Sequence, residues 1–264
     1  MKLDQETNSA PKTGELALRF VGVGNAQATA LGNSACVIEQ DHNPILLIDC
    51  GRGTLDAYRQ TYGNRLPSAL YITHGHMDHI CGLEELFYRA YFHESYRGRI
   101  KLFVPAHLVV LLQNRLANYP SILAEGGANF WDAFHLIPVG DHFWHATLRF
   151  TIFPVRHHEY LSAFGLALSG NFLYTGDTRP IPEIIRTFAP GQEWIFHDCA
   201  LVPNPSHTGL ADLFENYQPN ELKRMICYHY ESEEAANAIR ARGLQIAEAG
   251  IRYPLPNPIQ HKGK

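Results

Sequence analysis

Apolar and polar positions along this chain fall into two alternating styles. "LALRFVGVG", "SACVIEQ" and "PILLIDC" are short apolar runs with Gly and Asn at the breaks, the pattern of strands. "GTLDAYRQTYG" then reads as a helix, "SALYIT" returns to strand, and "GLEELFYRAYF" is helical again. The second half repeats the style. "TLRFTIFPVRH" predicts a strand, and "AFGLAL" and "NFLYTGD" predict a hairpin across "SGN". "IPEIIRTF", "TGLADLFENY" and "SEEAANAIRARG" follow as helices, with "EWIFHDC" and "KRMICYH" as strands between them. The segment from Lys101 to Pro154 reads as helix and strand, with only "AEGGAN" as a loop. Strands crowd the start of each half and βαβα order follows. That order predicts an α/β protein with two sheets face to face and helices outside, a four-layer α/β/β/α sandwich. Its expected extent is one domain over residues 15–253, between poorly ordered ends at 1–14 and at 254–264, where "YPLPNPIQHKGK" is Pro-rich.

Composition narrows what such a domain does. The 264 residues are 45% hydrophobic, enough for one large core. A net charge of −4 supplies no global basic field, so long nucleic acid is not an expected partner. Five cysteines, odd in number and without CxxC spacing, point to free thiols in a reducing cytoplasm. "MKLDQETNSAPKTG" has no apolar stretch of the signal-peptide kind. The apolar run "HLVVLLQNRL" is too short to span a bilayer, so no membrane is expected either.

The chemistry is concentrated in "YITHGHMDHICG", where His74, His76, Asp78 and His79 fall within six positions just past a predicted strand. Clustered imidazoles are costly to bury for packing alone, whereas neutral imidazole and carboxylate are the usual ligands of zinc. His74 and His76 alternate and can face one side of extended backbone; Asp78 and His79 follow where the chain turns into helix. Four donors do not complete two metal shells. More stand at later strand ends: His157 and His158 in "FPVRHH", Asp177 in "LYTGDT" and His229 in "ICYHY". A carboxylate such as Asp177 has two oxygens and could bridge two ions.

"THGHMDH" resembles the H-x-H-x-D-H signature of the metallo-β-lactamase superfamily, and the likeness extends over roughly residues 16–245. It implies the metallo-β-lactamase sandwich and two divalent ions per chain, with zinc, manganese and iron all compatible with the donors. His74, His76 and His157 (or His158) would hold one ion, and Asp78, His79 and His229 the other, with Asp177 bridging. "LLIDCG" would supply Asp49 as a brace for the metal loop. The aspartate of "TGDT" stands where β-lactamases often use cysteine. "VGVGNAQATALGNSACVIE" and "IFHDCALVPNPSHTGLADL" resemble the ribonuclease Z-like phosphodiesterases, whose His-Ser/Thr pair would here be His207–Thr208, opening a helix whose N-terminus suits a phosphate. No Gly/Pro-rich basic arm of the transfer-RNA enzymes is visible. The compact members are closer, among them the cyclic-phosphodiesterase of phosphonate breakdown and the phage anti-Pycsar enzymes that open cyclic pyrimidine nucleotides.

The resemblance thus implies a small phosphodiester or nucleotide substrate, attack by a hydroxide bridging the two ions, and Asp78 and His207 as candidate catalytic residues. His207 would contact the phosphate or protonate the leaving oxygen. It also implies a homodimer. Tyr88, Tyr91, Phe92, Tyr160 and Phe164 are candidates for a base-stacking wall. His197 reads as a core histidine, and Cys50 and Cys199 as small buried residues. Competing readings are a transfer-RNA 3′-end endonuclease, a lactone or thioester hydrolase on the same site, and a non-catalytic binder.

Overall fold

The computed structural model describes residues 14–118 and 127–256. The expected N-terminal tail, most of the C-terminal one and half of "AEGGAN" lie outside them. Among the described residues fourteen strands form two seven-stranded mixed sheets. The first contains β1 (Leu16–Gly22), β2 (Ala35–Gln40), β3 (Asn43–Ile48), β4 (Ala69–Tyr71), β5 (Ile100–Pro105) and β6 (Phe134–Val139) in that order, with β14 (Arg252–Pro254) added beside β1. The second runs β13 (Gln245–Ile246), β12 (Met225–Tyr228), β11 (Trp194–Asp198), β10 (Phe172–Tyr174), β9 (Phe164–Leu168), β8 (Leu148–Pro154) and β7 (His142–His145). In each sheet one half is antiparallel and the other parallel.

Central strands such as β4, β9 and β12 are buried along their whole length, because both faces are covered. Between the sheets Phe20 of β1 lies against the rings of Tyr174, Phe196 and Tyr228, and Tyr71 OH donates to the Gly165 carbonyl at 3.2 Å. The helices are α1 (Thr54–Tyr62), α2 (Met77–Ile80), α3 (Gly82–Tyr91), α4 (Val109–Leu112), α5 (Pro182–Phe188), α6 (Leu210–Asn216), α7 (Pro219–Leu222) and α8 (Glu233–Ala241). The expected α/β/β/α sandwich is therefore the observed one. No helix among the described residues is long and apolar enough to cross a membrane.

One local expectation needs correction. Tyr253 and Pro254 belong to β14 rather than to a loose tail, and Leu255 behind them is buried, its N–H bonded to the Leu16 carbonyl at 2.9 Å. Pro254 is tolerated because β14 is an edge strand. Along "HLVVLLQNRL" a 3₁₀ turn (Ala106–Leu108), α4 and a π-helical turn (Gln113–Ala117) follow each other directly.

The parallel strands point their C-terminal ends to one edge, where loops carry sites in such sheets. At that edge the two sheets are stitched by backbone: Phe164 N–H donates to the Thr73 carbonyl at 2.9 Å, and His229 N–H to the Val23 carbonyl at 2.7 Å.

Candidate metal centre

Each candidate donor leaves a strand where its pleat stops. Asp49 follows β3, His74 and His76 follow β4, and Asp78 and His79 sit in the single turn of α2. From the second sheet, His157 follows β8, Asp177 follows β10 and His229 follows β12. Asp49 and His229 both take positive φ, 62° and 67°. For non-glycine residues this backbone costs ~1–3 kcal/mol and survives where surrounding bonds over-determine it. Here the Asp49 N–H is held by the Tyr71 carbonyl at 2.9 Å and the His229 N–H by Val23.

The donors converge. His74, His76, His157 and Asp177 form one group able to hold a cation, and Asp78, His79 and His229 form a second. Asp177 Oδ2 lies between them, 3.2 Å from His229 Nε2, 3.3 Å from His79 Nε2, 3.6 Å from His74 Nε2 and 3.8 Å from His157 Nε2. The ambiguous histidine pair separates by burial: His157 is inside the group, while His158 is exposed with its ring against His76.

The far nitrogens are pinned so that the near ones face the cluster. Asp49 accepts from Thr73 N–H at 2.8 Å and Thr73 Oγ1 at 2.7 Å, and its Oδ2 lies 2.8 Å from His79 Nδ1. His157 Nδ1 donates to the Ser206 carbonyl at 2.8 Å. Asp49 is thus a brace, its carboxylate one step removed from the cluster.

Of nine buried side-chain polar atoms without a hydrogen-bond partner among the described residues, four are the Nε2 of His74, His79 and His229 and the Oδ1 of Asp177. Orphaned buried polar atoms are rare, and here all four belong to one cluster, which suits a pair of cations. Charge points the same way. Burial opposes ionisation of Asp177, yet the imidazoles of His229, His79 and His74 hold its carboxyl well below the ordinary range. Against burial, Asp177 and the aspartates behind them push His79 well up and His229 to about 10. Burial drives His74 well down, and with His157 beside it drives His76 down to about 4. Buried carboxylates surrounded by imidazoles that can release their protons fit divalent ions with neutral histidine ligands.

Asp198, at the end of β11, was not picked out by sequence reasoning. Its Oδ2 accepts from Thr178 N–H at 2.9 Å and lies 2.8 Å from His207 Nδ1, while Oδ1 lies 3.4 Å from His229 Nδ1. His207 joins Asp177, Asp198 and His229 in a third donor group. The signal available was the pair "DC" closing a strand, as in Asp49–Cys50. His197 is a core histidine, bonded to the Asp198 carbonyl and to Tyr217 OH, each at 2.7 Å. Cys50 and Cys199 are buried.

Two expectations are not met. The helix after His207–Thr208 begins only at Leu210, and its first donors are used internally: Gly209 N–H by Asp212 and Leu210 N–H by the Ala200 carbonyl, both at 2.9 Å. Thr208 is buried and donates to the Thr178 carbonyl at 2.7 Å. The stacking wall is also dispersed. Phe164 is buried in β9, Tyr91 sits under the guanidinium of Arg97, and Phe92 lies beyond the far end of α3, ~15 Å along the helix from Gly82. Tyr88 packs on the core, and Tyr160, three positions after His157, is 84% exposed.

Two seven-stranded sheets with these His/Asp groups at their shared edge define the class: a metallo-β-lactamase-fold, metal-dependent hydrolase. The profile described as "Anti-Pycsar protein Apyc1" matches residues 16–253, so the chain belongs to the anti-Pycsar Apyc1 family. It is 32% identical over 247 residues to the anti-Pycsar protein Apyc1 of Saccharibacillus brassicae, covering 90% of this chain and 99% of that one. In fold it is similar to the metallo-β-lactamase fold protein YhfI from Bacillus subtilis, with a TM-score of 0.69 at 12% identity, covering 90% and 99% of the two chains. It is equally similar to a diphosphatase from the PhnP family, with a TM-score of 0.69 at 16% identity over 90% and 96%.

Proposed function

We propose that this chain is a phosphodiesterase that opens 3′,5′-cyclic nucleotides to linear monophosphates, with two divalent ions as cofactors, zinc first and manganese or iron as alternatives. The observation that carries this reading is Asp177 Oδ2, one oxygen set between two donor groups and within 4.0 Å of five imidazoles, that of His207 included. Membership of the anti-Pycsar family supports the cyclic nucleotide as substrate. In this reading His74, His76 and His157 hold one ion, Asp78, His79 and His229 hold the other, and Asp177 is shared. When bound, the ions supply Lewis acidity and an acidified water.

The remaining work falls to side chains. Asp49, the Ser206 carbonyl and Asp198 fix which nitrogen of His79, His157 and His229 carries a proton, so that each Nε2 faces the cluster. His207 holds a proton at Nδ1 toward Asp198. Burial lowers its pKa, but the Asp198 carboxylate outweighs that and raises it. Protonated, its Nε2–H can serve the leaving ribose oxygen. A cytoplasmic homodimer completes the proposal; five free cysteines support the compartment, and sedimentation of the purified chain checks the dimer.

The test incubates protein loaded with Zn²⁺ or Mn²⁺ with a panel of 3′,5′-cyclic nucleotides, beside Asp177→Ala. Conversion to linear monophosphates by the wild type and none by the variant is expected. No conversion by metal-loaded wild type sinks the cyclic-nucleotide reading.

A further inference from the structure

A cleft of about 510 Å³ opens on the His74–His76–His157 side of the centre. Its wall includes Leu111, Arg115, His158, Gly75 and the carboxylate-bearing Glu159 as well as all three of those histidines. Arg115 is the wall's cation. It sits in the π-helical turn Gln113–Ala117, a distortion that recurs at functional sites. Its Nη1 donates to the Gly75 carbonyl at 2.6 Å, the peptide between His74 and His76. A Cβ at Gly75 would meet the Leu111 side chain, so the two segments pack closely here. Leu111 and Arg115, four residues apart, grip one peptide. Among the described residues Arg115 has no ion pair, with Glu159 of the same wall included, and its one acceptor is the Gly75 carbonyl.

We propose that Arg115 is the specificity-determining residue of the site, resting on the phosphodiesterase reading above. It spends one nitrogen on Gly75 and turns the others to a phosphoryl oxygen of an anionic diester entering the cleft. Guanidinium is suited to this double task because its donors are rigid and face more than one direction, whereas lysine has a single charged point. A phosphodiester enters the cleft with one negative charge and a lactone or thioester with none; each gains one on hydrolysis, so the difference open to Arg115 lies in the substrate as it binds. Arg115 therefore selects phosphodiesters over neutral esters that the same hydrolytic centre could cleave.

The experiment compares wild type, Arg115→Ala and Arg115→Lys as metal-loaded full chains. Metal content, kcat and KM on cyclic CMP, and calorimetric binding of its hydrolysis-resistant cyclic phosphorothioate are measured on each. Arg115→Ala is expected to keep its metal, and to weaken phosphorothioate binding and raise KM about 10- to 100-fold. Arg115→Lys should fall between. Unchanged binding in Arg115→Ala overturns the assignment, and so does loss of metal by that variant, which would make Arg115 a brace for the loop. If wild type binds the phosphorothioate in an Arg115-dependent way but cleaves no cyclic nucleotide, the reaction proposed above falls and the anion site stands. Absence of any Arg115-dependent binding removes the anion site whatever the activity.

Discussion

Asp198 and Asp49 solve the same problem on opposite sheets. Each ends a strand, accepts from the backbone N–H of a threonine on a neighbouring loop, Thr178 or Thr73, and aims a second contact at a histidine ring. Asp198 serves two rings, so its loss should be felt in two separable ways. Asp198→Asn replaces one acceptor with an NH₂ donor, which cannot accept from His229 Nδ1–H. Metal affinity is expected to fall about 10- to 100-fold, read by competition against a chelator. His207→Ala removes the other ring and is expected to keep the metal while turnover drops about 10²- to 10⁴-fold. Equal metal affinity in Asp198→Asn and wild type would show that His229 needs no brace.

Among the elements, the edge of the first sheet is held by charge rather than by length. Glu39 of β2 is buried and accepts from Arg19 of β1 at 2.7 Å, Arg252 of β14 at 2.8 Å and Tyr62 of α1 at 2.7 Å. Burial alone would raise its pKa, but these partners lower it from the ordinary carboxylate value. A depressed pKa contributes stability that is present above the unfolded value, ~4.3, and is lost as pH falls through the folded one. Glu39→Gln should cost about 3 kcal/mol at neutral pH and flatten that part of the acid unfolding profile, measured by denaturant titration from pH 7 down to acid. A variant as stable as wild type at pH 7 would mean the network is dispensable. This edge is also where the sequence was hardest to read. Arg252–Pro254 is three residues in a Pro-rich stretch, and its pairing with β1 spans more than 230 positions, which no local pattern encodes. The donors in "THGHMDH", "TGDT" and "ICYH" were legible because each stands directly after an apolar strand. Asp198 was not, because His197 beside it drew the eye. Alternation along a strand sends neighbours to opposite faces, and here the histidine goes to the core and the aspartate to the site. Arg115 had no motif at all: its role comes from a π turn and a glycine forty residues away.

The centre lies across the seam of the whole molecule. His74, His76, Asp78 and His79 hang from the first sheet, and His157, Asp177 and His229 from the second. Ions bound here would tie the two sheets together and offset carboxylates that are otherwise buried together at close range. Such ions bind the folded chain and not a preformed site in the unfolded one, so their free energy appears as stability. At a free concentration 100 times Kd, one ion adds about 2.7 kcal/mol. For a chain of this size each kcal/mol moves Tm by roughly 2–4 °C, so chelation should lower Tm by roughly 5–10 °C per ion removed. Zn²⁺ or Mn²⁺ added back should restore it in a concentration-dependent way. Asp177→Ala should lose most of that response, because Asp177 Oδ2 lies between the two donor groups. Thermal scans with metal content measured on the same samples decide the matter. If chelation strips the metal and Tm stays where it was, the two sheets are held by their apolar packing alone and the centre contributes chemistry without stability.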